Sequence, residues 1–394
     1  MSKTTGLARK KRRNLGWKIA GIILALIILA LLVIFAVGMI GYEVNMNRAE
    51  ETEYLGSAYT PVMEDGVWTF YVPADEDFRI LQITDVHLGG GAFSIGKDAR
   101  ALDAVETLIR RSEPDLVVFT GDMVYPVPPQ SGSFNNLRET ALLTTLMEKL
   151  GVYYAVCFGN HDTEPYSFYD RDDIYEFYAE QEHCVVDRVE GIDDINYAIN
   201  IRDEGTKRIR QTLYLMDTHD YVGDQLINIL GNYDGLHENQ IEWYRAEVGR
   251  MNALNAALGY EEVVPSTLFI HIPLGEYEEA ANEYRANFFR DTENVKHFYG
   301  ELGEDPCPSD FEDDMFETML ELGSTKYVFC GHDHVNNISL EYKGIRLTYG
   351  MSIDYLAYIG IAEEESQRGA TVIDLSPEGT LNIEPIRLNE DLYR

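Results

Sequence analysis

Histidine, aspartate and asparagine residues follow a series of short apolar segments in this chain. They are Asp85 and His87 in TDVH, Asp122 in TGDM, Asn160 in GNHD, His271 in FIHIP, and His332 and His334 in GHDH. Imidazole, carboxylate and amide groups together suit ions such as Zn, Fe and Mn. Two ions about 3.5 to 4 Å apart can hold a phosphoryl group and activate a water. The residue types therefore predict a two-metal hydrolytic site in which one carboxylate bridges the ions.

Each of these residues, taken alone, also fits a structural role. Asp85 could cap a loop, Asp122 could be a turn residue, and Asn160 could adopt a left-handed backbone conformation. His271 could be an ordinary core histidine. Five such motifs at five strand ends, in order, are an improbable coincidence, which favours the metal site.

The elements that must position these residues are predicted strands and helices. Segments 78–85 (FRILQITD), 115–122 (DLVVFTGD) and 153–162 (YYAVCFGNHD) begin as short apolar runs, typical of buried strands. Segment 98–115 has apolar residues at helical spacing before Pro114, and a second helix is expected near 136–150. This β-α-β-α-β order predicts a parallel sheet, and ligands collect at the carboxyl ends of its strands.

The distribution of charge divides the chain in two. Its 394 residues are 45% hydrophobic and 25% charged, which suits one large or two small globular domains, and the formal net charge is −35. Residues 1–41 carry seven Lys or Arg and no acid, so the remainder holds 25 basic and 67 acidic residues, a net charge of −42. Such a surface repels phosphate backbones, and no nucleic acid partner is expected.

The N-terminus predicts a membrane anchor. Ile19–Ile40 is an uncharged run of 22 residues, long enough to cross a bilayer core of about 30 Å as a helix. A cleaved signal peptide normally has a shorter apolar stretch, although Ala36–Gly38 is an acceptable cleavage site, so we favour an uncleaved anchor. The basic block Arg9–Arg13 is expected to remain in the cytoplasm, which places the acidic remainder outside the cell membrane in a single-pass topology.

The motifs DVH (85–87), GD (121–122), GNHD (159–162), HIP (271–273) and GHDH (331–334) together resemble the signature of the calcineurin-like metallophosphoesterases. The flanking segments FGNHD, HIPLGEY and FCGHDHVN are similar to the branch of the small plant purple-acid-phosphatase relatives and a related yeast cell-cycle phosphatase. The resemblance implies an α/β fold, a two-sheet sandwich flanked by helices, here preceded by one N-terminal transmembrane helix.

The resemblance also implies a dinuclear metal site. Asp122 would bridge two divalent or mixed-valence ions, with Mn, Fe or Zn as the candidates. One ion would be completed by Asp85, His87 and His334, and the other by Asn160, His271 and His332.

The reaction implied by the resemblance is hydrolysis of a phosphate ester. A metal-bound hydroxide would attack phosphorus in line, and the leaving alkoxide would need a proton. His161 is not required as a ligand and would donate that proton, with Asp162 orienting it.

Three further residues are candidates for contact with substrate or for support of the ligands. Tyr125 follows GD by three residues, which resembles the GDxxY signature of true purple acid phosphatases, whose tyrosine binds ferric iron. Those enzymes generally lack the histidine of DVH, so we predict that His87 is the ligand and Tyr125 a supporting residue. Arg171 could meet a phosphate or could begin a helix capped by Asp170. Asn336 follows GHDH and is the third candidate.

Residues outside these motifs carry weaker expectations. The remaining histidines, among them His219 and His237, fit no ligand spacing. Cys157 and Cys330 end apolar segments and are predicted to be buried free thiols, whereas the state of the other two cysteines stays open.

These expectations define the domains and the candidate functions. The divisions are a basic cytoplasmic tail (1–16), a transmembrane anchor (17–41), a juxtamembrane lead-in (42–76) and a metallophosphoesterase domain (77–394). A membrane-anchored phosphomonoesterase is favoured. The alternatives are a phosphodiesterase acting on nucleotide-like or lipid-linked diesters, and a non-catalytic surface receptor that uses the same fold.

Overall fold

The computed structural model describes residues 3–189, 191–192, 195–223, 232–358, 361 and 367–388, with side chains from residue 16 onward. The side chains of the basic block Arg9–Arg13 therefore lie outside the described residues. The chain begins with one helix, α1 (Lys3–Glu50), that contains the predicted anchor and continues nine residues past its predicted end. By length and composition α1 could cross a membrane, and a signal sequence has the same properties.

Helices and strands alternate through most of the chain. The other helices are α2 (Ile95–Ser112), α3 (Pro128–Ser131), α4 (Asn136–Leu150), α5 (Arg171–Ala179), α6 (Glu238–Ala257), α7 (Gly275–Ala286) and α8 (Met315–Leu322). The strands are β1 (Val62–Glu64), β2 (Val67–Val72), β3 (Phe78–Ile83), β4 (Leu116–Thr120), β5 (Tyr154–Cys157), β6 (Tyr197–Asp203), β7 (Ile209–Leu215), β8 (Ser266–Phe269), β9 (Val295–Tyr299), β10 (Thr325–Cys330), β11 (Ser339–Tyr342), β12 (Ile345–Tyr349), β13 (Gly369–Leu375) and β14 (Leu381–Arg387).

The strands form two mixed sheets. One sheet has the order β14-β13-β3-β4-β5, and the other has the order β1-β2-β6-β7-β8-β10-β12-β11-β9. The predicted parallel core is confirmed, because β3 pairs in parallel with β4, and β4 with β5. In the second sheet β10 lies in parallel between β8 and β12.

The two sheets share one apolar core. Phe269 of β8 and Phe329 of β10 stack with ring centroids 5.2 Å apart and join the cluster that includes Phe119 of β4. Hydrogen bonds also cross between the sheets, since Gln82 Nε2 donates to the carbonyl of Cys330 at 3.0 Å. The expected sandwich of two sheets flanked by helices is therefore confirmed.

The helices that flank the first sheet follow from the sequence. α2 buries Leu102, Val105, Leu108 and Ile109, residues at helical spacing, against β3 and β13. α4 begins at an Asn135 cap, whose side chain accepts from the Arg138 N–H at 3.1 Å.

Two expectations about the rest of the chain have different outcomes. The segment 42–76, predicted as a lead-in, contains β1 and β2, which pair with each other and, through β2, with β6 of the large sheet. Two strands of the large sheet therefore precede residue 77, and the division of the chain into domains stays a prediction. The prediction for the thiols is confirmed, since Cys157 and Cys330 are buried and free.

Candidate metal centre

The seven predicted ligands lie where the two sheets meet at one edge. β3, β4 and β5 end there in one sheet, and β8 and β10 end there in the other. The ends are tied together, because the His271 ring Nδ1 donates to the carbonyl of Thr120 at 2.8 Å and the Gly331 N–H donates to the carbonyl of His271 at 3.1 Å. The side chains of Asp85, His87, Asp122, Asn160 and His271 are buried there.

The backbone at this edge adopts an uncommon conformation. Asp85, His87, Asp122 and His332 have φ of 51°, 51°, 54° and 73°, in the left-handed region that costs non-glycine residues free energy. Backbone hydrogen bonds hold this conformation. The Asp85 N–H donates to the carbonyl of Gly121 at 3.1 Å, and the His87 N–H donates to the backbone carbonyl of Asp122 at 3.0 Å. Such strain, held by the surrounding fold, is typical of functional loops.

Gly121 explains the glycine of the GD motif. Its φ is 89°, and a Cβ at this position would lie 2.3 Å from Nδ1 of His271. Only glycine therefore lets the β4 loop approach the histidine this closely.

Asp122 occupies the centre of the cluster. Its Oδ2 lies 3.1 Å from Nε2 of His87 and 3.3 Å from Nε2 of His271. Its Oδ1 accepts from the backbone N–H of His161 at 2.8 Å. One carboxylate thus contacts a histidine from each of the two predicted ligand sets.

Asp354 orients two of the histidines and was not predicted from the sequence. Its Oδ2 lies 3.2 Å from Nδ1 of His334, and its Oδ1 lies 3.5 Å from Nδ1 of His87. The backbone N–H groups of Leu356 and Ala357 donate to the same carboxylate and fix it. Histidine ligands commonly present one ring nitrogen to a metal and donate the other to a carboxylate.

The remaining predicted ligands lie in the same cluster. Asn160 Oδ1 is 3.2 Å from Nε2 of His271, and the ring of His332 is 5.2 Å from the ring of His271. Nε2 of His334 lies 3.6 Å from Asp85 Oδ1. The structure thus brings all seven residues together.

His161 lies beside the cluster, and its partner differs from the expected one. Its Nδ1 is 2.6 Å from Oε1 of Glu164, a residue that sequence reasoning did not select. Asp162 accepts instead from the backbone N–H groups of Gly159 and Asp122, at 2.7 and 3.0 Å. The expected orienting role of Asp162 is therefore corrected, because its carboxylate organises the backbone, and Glu164 contacts the histidine.

The three supporting candidates occupy different positions. Tyr125 stacks on His87 with centroids 5.2 Å apart, and its hydroxyl donates to Gln130 Oε1 at 2.9 Å. Arg171 pairs with Asp217 at 2.5 Å, as the first residue of α5.

Asn336, the third candidate, joins neighbouring segments. It accepts from the Glu304 N–H at 3.1 Å and donates to Asp333 Oδ2 at 3.2 Å. Because the residue is buried in these contacts, it supports the loop that follows β10.

The electrostatics of the cluster are strongly coupled. Burial alone would raise the pKa of Asp122, but nearby imidazoles, chiefly His271, hold it well below its usual range. Burial would lower the pKa of His271, but Asp122 raises it to about 9. The pKa of His87 is raised well above its usual value, because Asp354 and Asp122 outweigh its burial. Asp122 is therefore ionised, and the imidazoles of His87 and His271 beside it carry protons that a cation can displace.

The residues fit a metal ion. One ligand atom from each of Asp85, His87, Asp122 and His334 lies within 4.8 Å of the others. Asp85 Oδ2 is buried and makes no hydrogen bond within the described part of the chain. A buried carboxylate oxygen without a partner is costly, and a cation would satisfy it.

A cleft opens beside the cluster. Its volume is about 240 Å³, and its lining includes Asp122, Tyr125, His161, His332 and His334. The candidate proton donor and the candidate ligands thus face the same space.

A second group of ligand-type side chains lies outside these motifs. His219, Asp234 and His237 each offer an atom within 4.8 Å of the others, and the two rings stack at 4.2 Å. Sequence reasoning found no ligand spacing for these histidines, because 18 positions separate them in the chain.

The sandwich brings candidate carboxylate, amide and histidine ligands to one edge, an arrangement that suits a metal-dependent phosphoesterase. Residues 78–219 match the profile of the calcineurin-like phosphoesterase family. The chain therefore contains a calcineurin-like metallophosphoesterase domain, and its relatives are plant purple-acid-phosphatase-like proteins and a yeast phosphatase.

Two of these relatives show the extent of the similarity. The chain is 27% identical over 325 aligned positions to "Probable inactive purple acid phosphatase 29" of Arabidopsis thaliana, covering 76% of this chain and 77% of that protein. It is 26% identical over 313 positions to "Phosphatase DCR2" of Saccharomyces cerevisiae, covering 74% of this chain and 50% of that protein. The resemblance drawn from the motifs is thus confirmed.

Among solved structures, a dimetal phosphatase from Danio rerio has a TM-score of 0.48 and 12% identity, and the match covers 79% of this chain and 99% of that one.

Proposed function

We propose that this protein is a membrane-anchored phosphohydrolase that holds two metal ions at the strand ends and favours phosphomonoesters. The position of Asp122 carries the proposal. Its Oδ2 lies between Nε2 of His87 and Nε2 of His271, at 3.1 and 3.3 Å. A shared carboxylate between two ligand sets is what a two-metal site requires.

The orientation of the histidines supports this assignment. His87 and His334 turn their Nδ1 atoms toward Asp354, and His271 donates its Nδ1 hydrogen to Thr120. In each case Nε2 faces the carboxylates of the cluster. The ring directions are thus set for metal binding before any ion arrives.

The chain's own groups divide the work of the reaction. When bound, the two metals would neutralise phosphoryl charge and acidify the attacking water. Glu164 holds Nδ1 of His161 at 2.6 Å, so that Nε2 is the atom that donates a proton to the leaving oxygen. Tyr125 packs against His161 with centroids 4.8 Å apart and limits the movement of the ring.

The proposed arrangement in the membrane follows from charge and hydropathy. The apolar part of α1 would span the bilayer, with the basic residues of 1–16 in the cytoplasm and the acidic domain outside.

A second candidate function is a non-catalytic binding protein, favoured by one observation. The plant relative described above is named as inactive. The complete ligand set together with the His161–Glu164 pair favours catalysis here, because a binding module has no need of a proton donor.

Hydrolysis assays separate the candidates. The full chain would be given a chromogenic phosphomonoester and a bis-aryl phosphodiester, each with added Mn, Fe or Zn. We expect metal-dependent turnover of the monoester, faster than of the diester, and loss of that turnover in Asp122→Ala. Faster turnover of the diester would support a phosphodiesterase. No turnover with any metal, from protein that binds metal, would support the binding protein.

A further inference from the structure

The direction of α1 relative to the sheet that contains β3, β4 and β5 is fixed by the contacts of α1 with α2. Asn45 Nδ2 donates to the carbonyl of Ile95 at 3.0 Å, at the start of α2, and Arg48 pairs with Asp103, farther along it. Residue numbers therefore rise together in the two helices, which run parallel. The apolar part of α1 leaves the domain beyond the N-terminal end of α2.

Contacts with α4 give the same direction for α1. Arg138 lies in the first turn of α4, and its guanidinium is 3.9 Å from the ring centroid of Tyr42 in α1. Leu150 is the last residue of α4, and its carbonyl accepts from the N–H of Leu55, which follows α1, at 2.9 Å. In a β-α-β unit the helices begin at the edge where the strands end. The edge that carries the metal centre therefore faces the side toward which the apolar helix projects.

The loops of the metal centre touch α1 inside its apolar run. A cavity of about 160 Å³ is lined by Ile34, Phe35, Gly38 and Met39 of α1 and by loop residues that follow β3, β4 and β5. At 1.5 Å per residue, Ile34 lies about 9 Å inside the end of the uncharged run at Ile40. If α1 spans a bilayer, these loops lie at the depth of its interface.

Each of the three loops exposes one phenylalanine at this position. Phe93 after β3, Phe134 after β4 and Phe168 after β5 are 51%, 44% and 67% exposed. Phe134 and Phe168 stack with centroids 6.0 Å apart, and both line the cavity beside α1. Exposed aromatic side chains that continue the apolar surface of a membrane helix are typical of residues in the bilayer interface.

These phenylalanines are close to the catalytic groups in the fold. The ring centroids of Phe134 and Tyr166 are 6.3 Å apart. Tyr166 lies two residues after Glu164, the residue that contacts His161. The Phe93 N–H donates to the carbonyl of Ser131 at 3.1 Å, next to Gln130, the partner of Tyr125. A substrate held at the surface that carries the phenylalanines is therefore near the cleft.

We propose that Phe93, Phe134 and Phe168 rest in the bilayer interface and that the site acts on phosphate esters carried by membrane lipids. This rests on the proposed function, an anchored phosphohydrolase. A lipid reaches the site by lateral diffusion in the bilayer, so its capture does not depend on free diffusion toward a domain whose net charge outside the anchor is −42. The lipid headgroup phosphate would enter the cleft while its acyl chains remain in the bilayer.

Tryptophan fluorescence tests the membrane contact without using activity. Phe168→Trp and, as a control, Phe288→Trp would be made in the full chain and reconstituted in zwitterionic vesicles whose acyl chains are brominated near the headgroup. Phe288 is 82% exposed and follows the C-terminal end of α7, away from the metal centre. After subtraction of parent fluorescence, we expect the bromolipid to quench the Phe168→Trp emission and not the control. Equal emission changes in the two variants would overturn the contact.

Kinetics test the class of substrate. The parent, the double variant Phe134→Ser/Phe168→Ser and the control Phe288→Ser would be compared on a diacylglycerol phosphate in vesicles and on glycerol phosphate in solution. We expect the double variant to lose at least about tenfold on the lipid, the factor for about 1.4 kcal/mol of apolar contact, and to keep its rate on glycerol phosphate within about twofold. The control should match the parent on both substrates.

Three outcomes would count against the proposals in distinguishable ways. Equal losses on the two substrates, or an unchanged rate on the lipid, would overturn the interfacial role of the phenylalanines. A parent that hydrolyses glycerol phosphate and not the lipid would overturn the lipid as substrate while leaving the phosphohydrolase intact. A parent that hydrolyses neither, although loaded with metal, would overturn the proposed function and with it the lipid substrate.

Discussion

Replacement of His161 by alanine separates proton donation from metal binding. The ring lies beside the cluster and is held by Glu164 at 2.6 Å, while its backbone N–H, which alanine keeps, donates to Asp122. His161→Ala should therefore retain both metals. General acids contribute about 10²- to 10⁴-fold, or about 2.7 to 5.4 kcal/mol of activation free energy. We expect a loss in this range on alkyl phosphates, whose leaving group needs a proton.

Substitution of Glu164 should lower the rate less than substitution of His161. A hydrogen bond to a charged group contributes roughly 1.5 to 3 kcal/mol, equivalent to about 12- to 150-fold in rate. Glutamine keeps an acceptor near Nδ1 and removes the charge, so Glu164→Gln should lose less than this upper limit and less than His161→Ala. The same order should hold across alkyl substrates.

The assay is a series of phosphomonoesters from activated aryl to alkyl leaving groups, with metal content measured on the same samples. The loss in His161→Ala should shrink by at least about tenfold for activated aryl esters, which leave readily as anions. His183→Ala is the matched control, because His183 forms a similar pair outside the metal centre. Its Nδ1 lies 2.8 Å from Oε2 of Glu148. Equal losses for good and poor leaving groups at full metal occupancy would refute proton donation by His161.

The other predictions concern the support of the site and the stability of the fold. Asp354→Asn removes the negative charge that orients two ligand histidines, so metal affinity should fall about 10- to 100-fold in a competitive chelator titration, and an unchanged affinity would contradict that role. Glu139 is fully buried, and burial raises its pKa well above the usual value, so its ionisation at higher pH destabilises the folded state. The advantage in Tm of Glu139→Gln over the parent should therefore grow from pH 5 to pH 8, and a constant or shrinking difference would contradict a raised pKa of Glu139. Tyr125→Phe should keep both metals in elemental analysis, because the hydroxyl bonds to Gln130, whereas loss of one equivalent would make Tyr125 a ligand.

Local patterns predicted most of the site. Each ligand follows an apolar strand by two to four residues, so the chain position of the strand end determines where the ligand lies. The parallel order of β3, β4 and β5 then brings Asp85, Asp122 and Asn160 to one edge. Sequence periodicity is sufficient for this part of the structure.

The orienting residues could not be found in the same way. Asp354 reaches His87 across 267 positions, and only the pairing of the two sheets makes that contact. Glu164 is a neighbour of His161 in sequence, but Asp162 is nearer, and the choice between them depends on the turn geometry of the GNHD loop. Their positions follow from tertiary packing, which no local spacing reports.

The length of α1 was also underestimated, for a related reason. Its last turns contain polar residues that look like a linker, yet Asn45 and Ala49 are buried against the domain. The helix continues because α2 and α4 cover one face of it, a contact that hydropathy along the chain does not reveal.

The central claim is that two metal ions share Asp122. It is tested most directly by anomalous diffraction from crystals of the metal-loaded protein, with data on both sides of the metal absorption edge. We expect two anomalous peaks about 3.5 to 4 Å apart, one on each side of the Asp122 carboxylate. One ion should contact His87 and the other His271. A single peak, or two peaks that Asp122 does not bridge, would contradict the account.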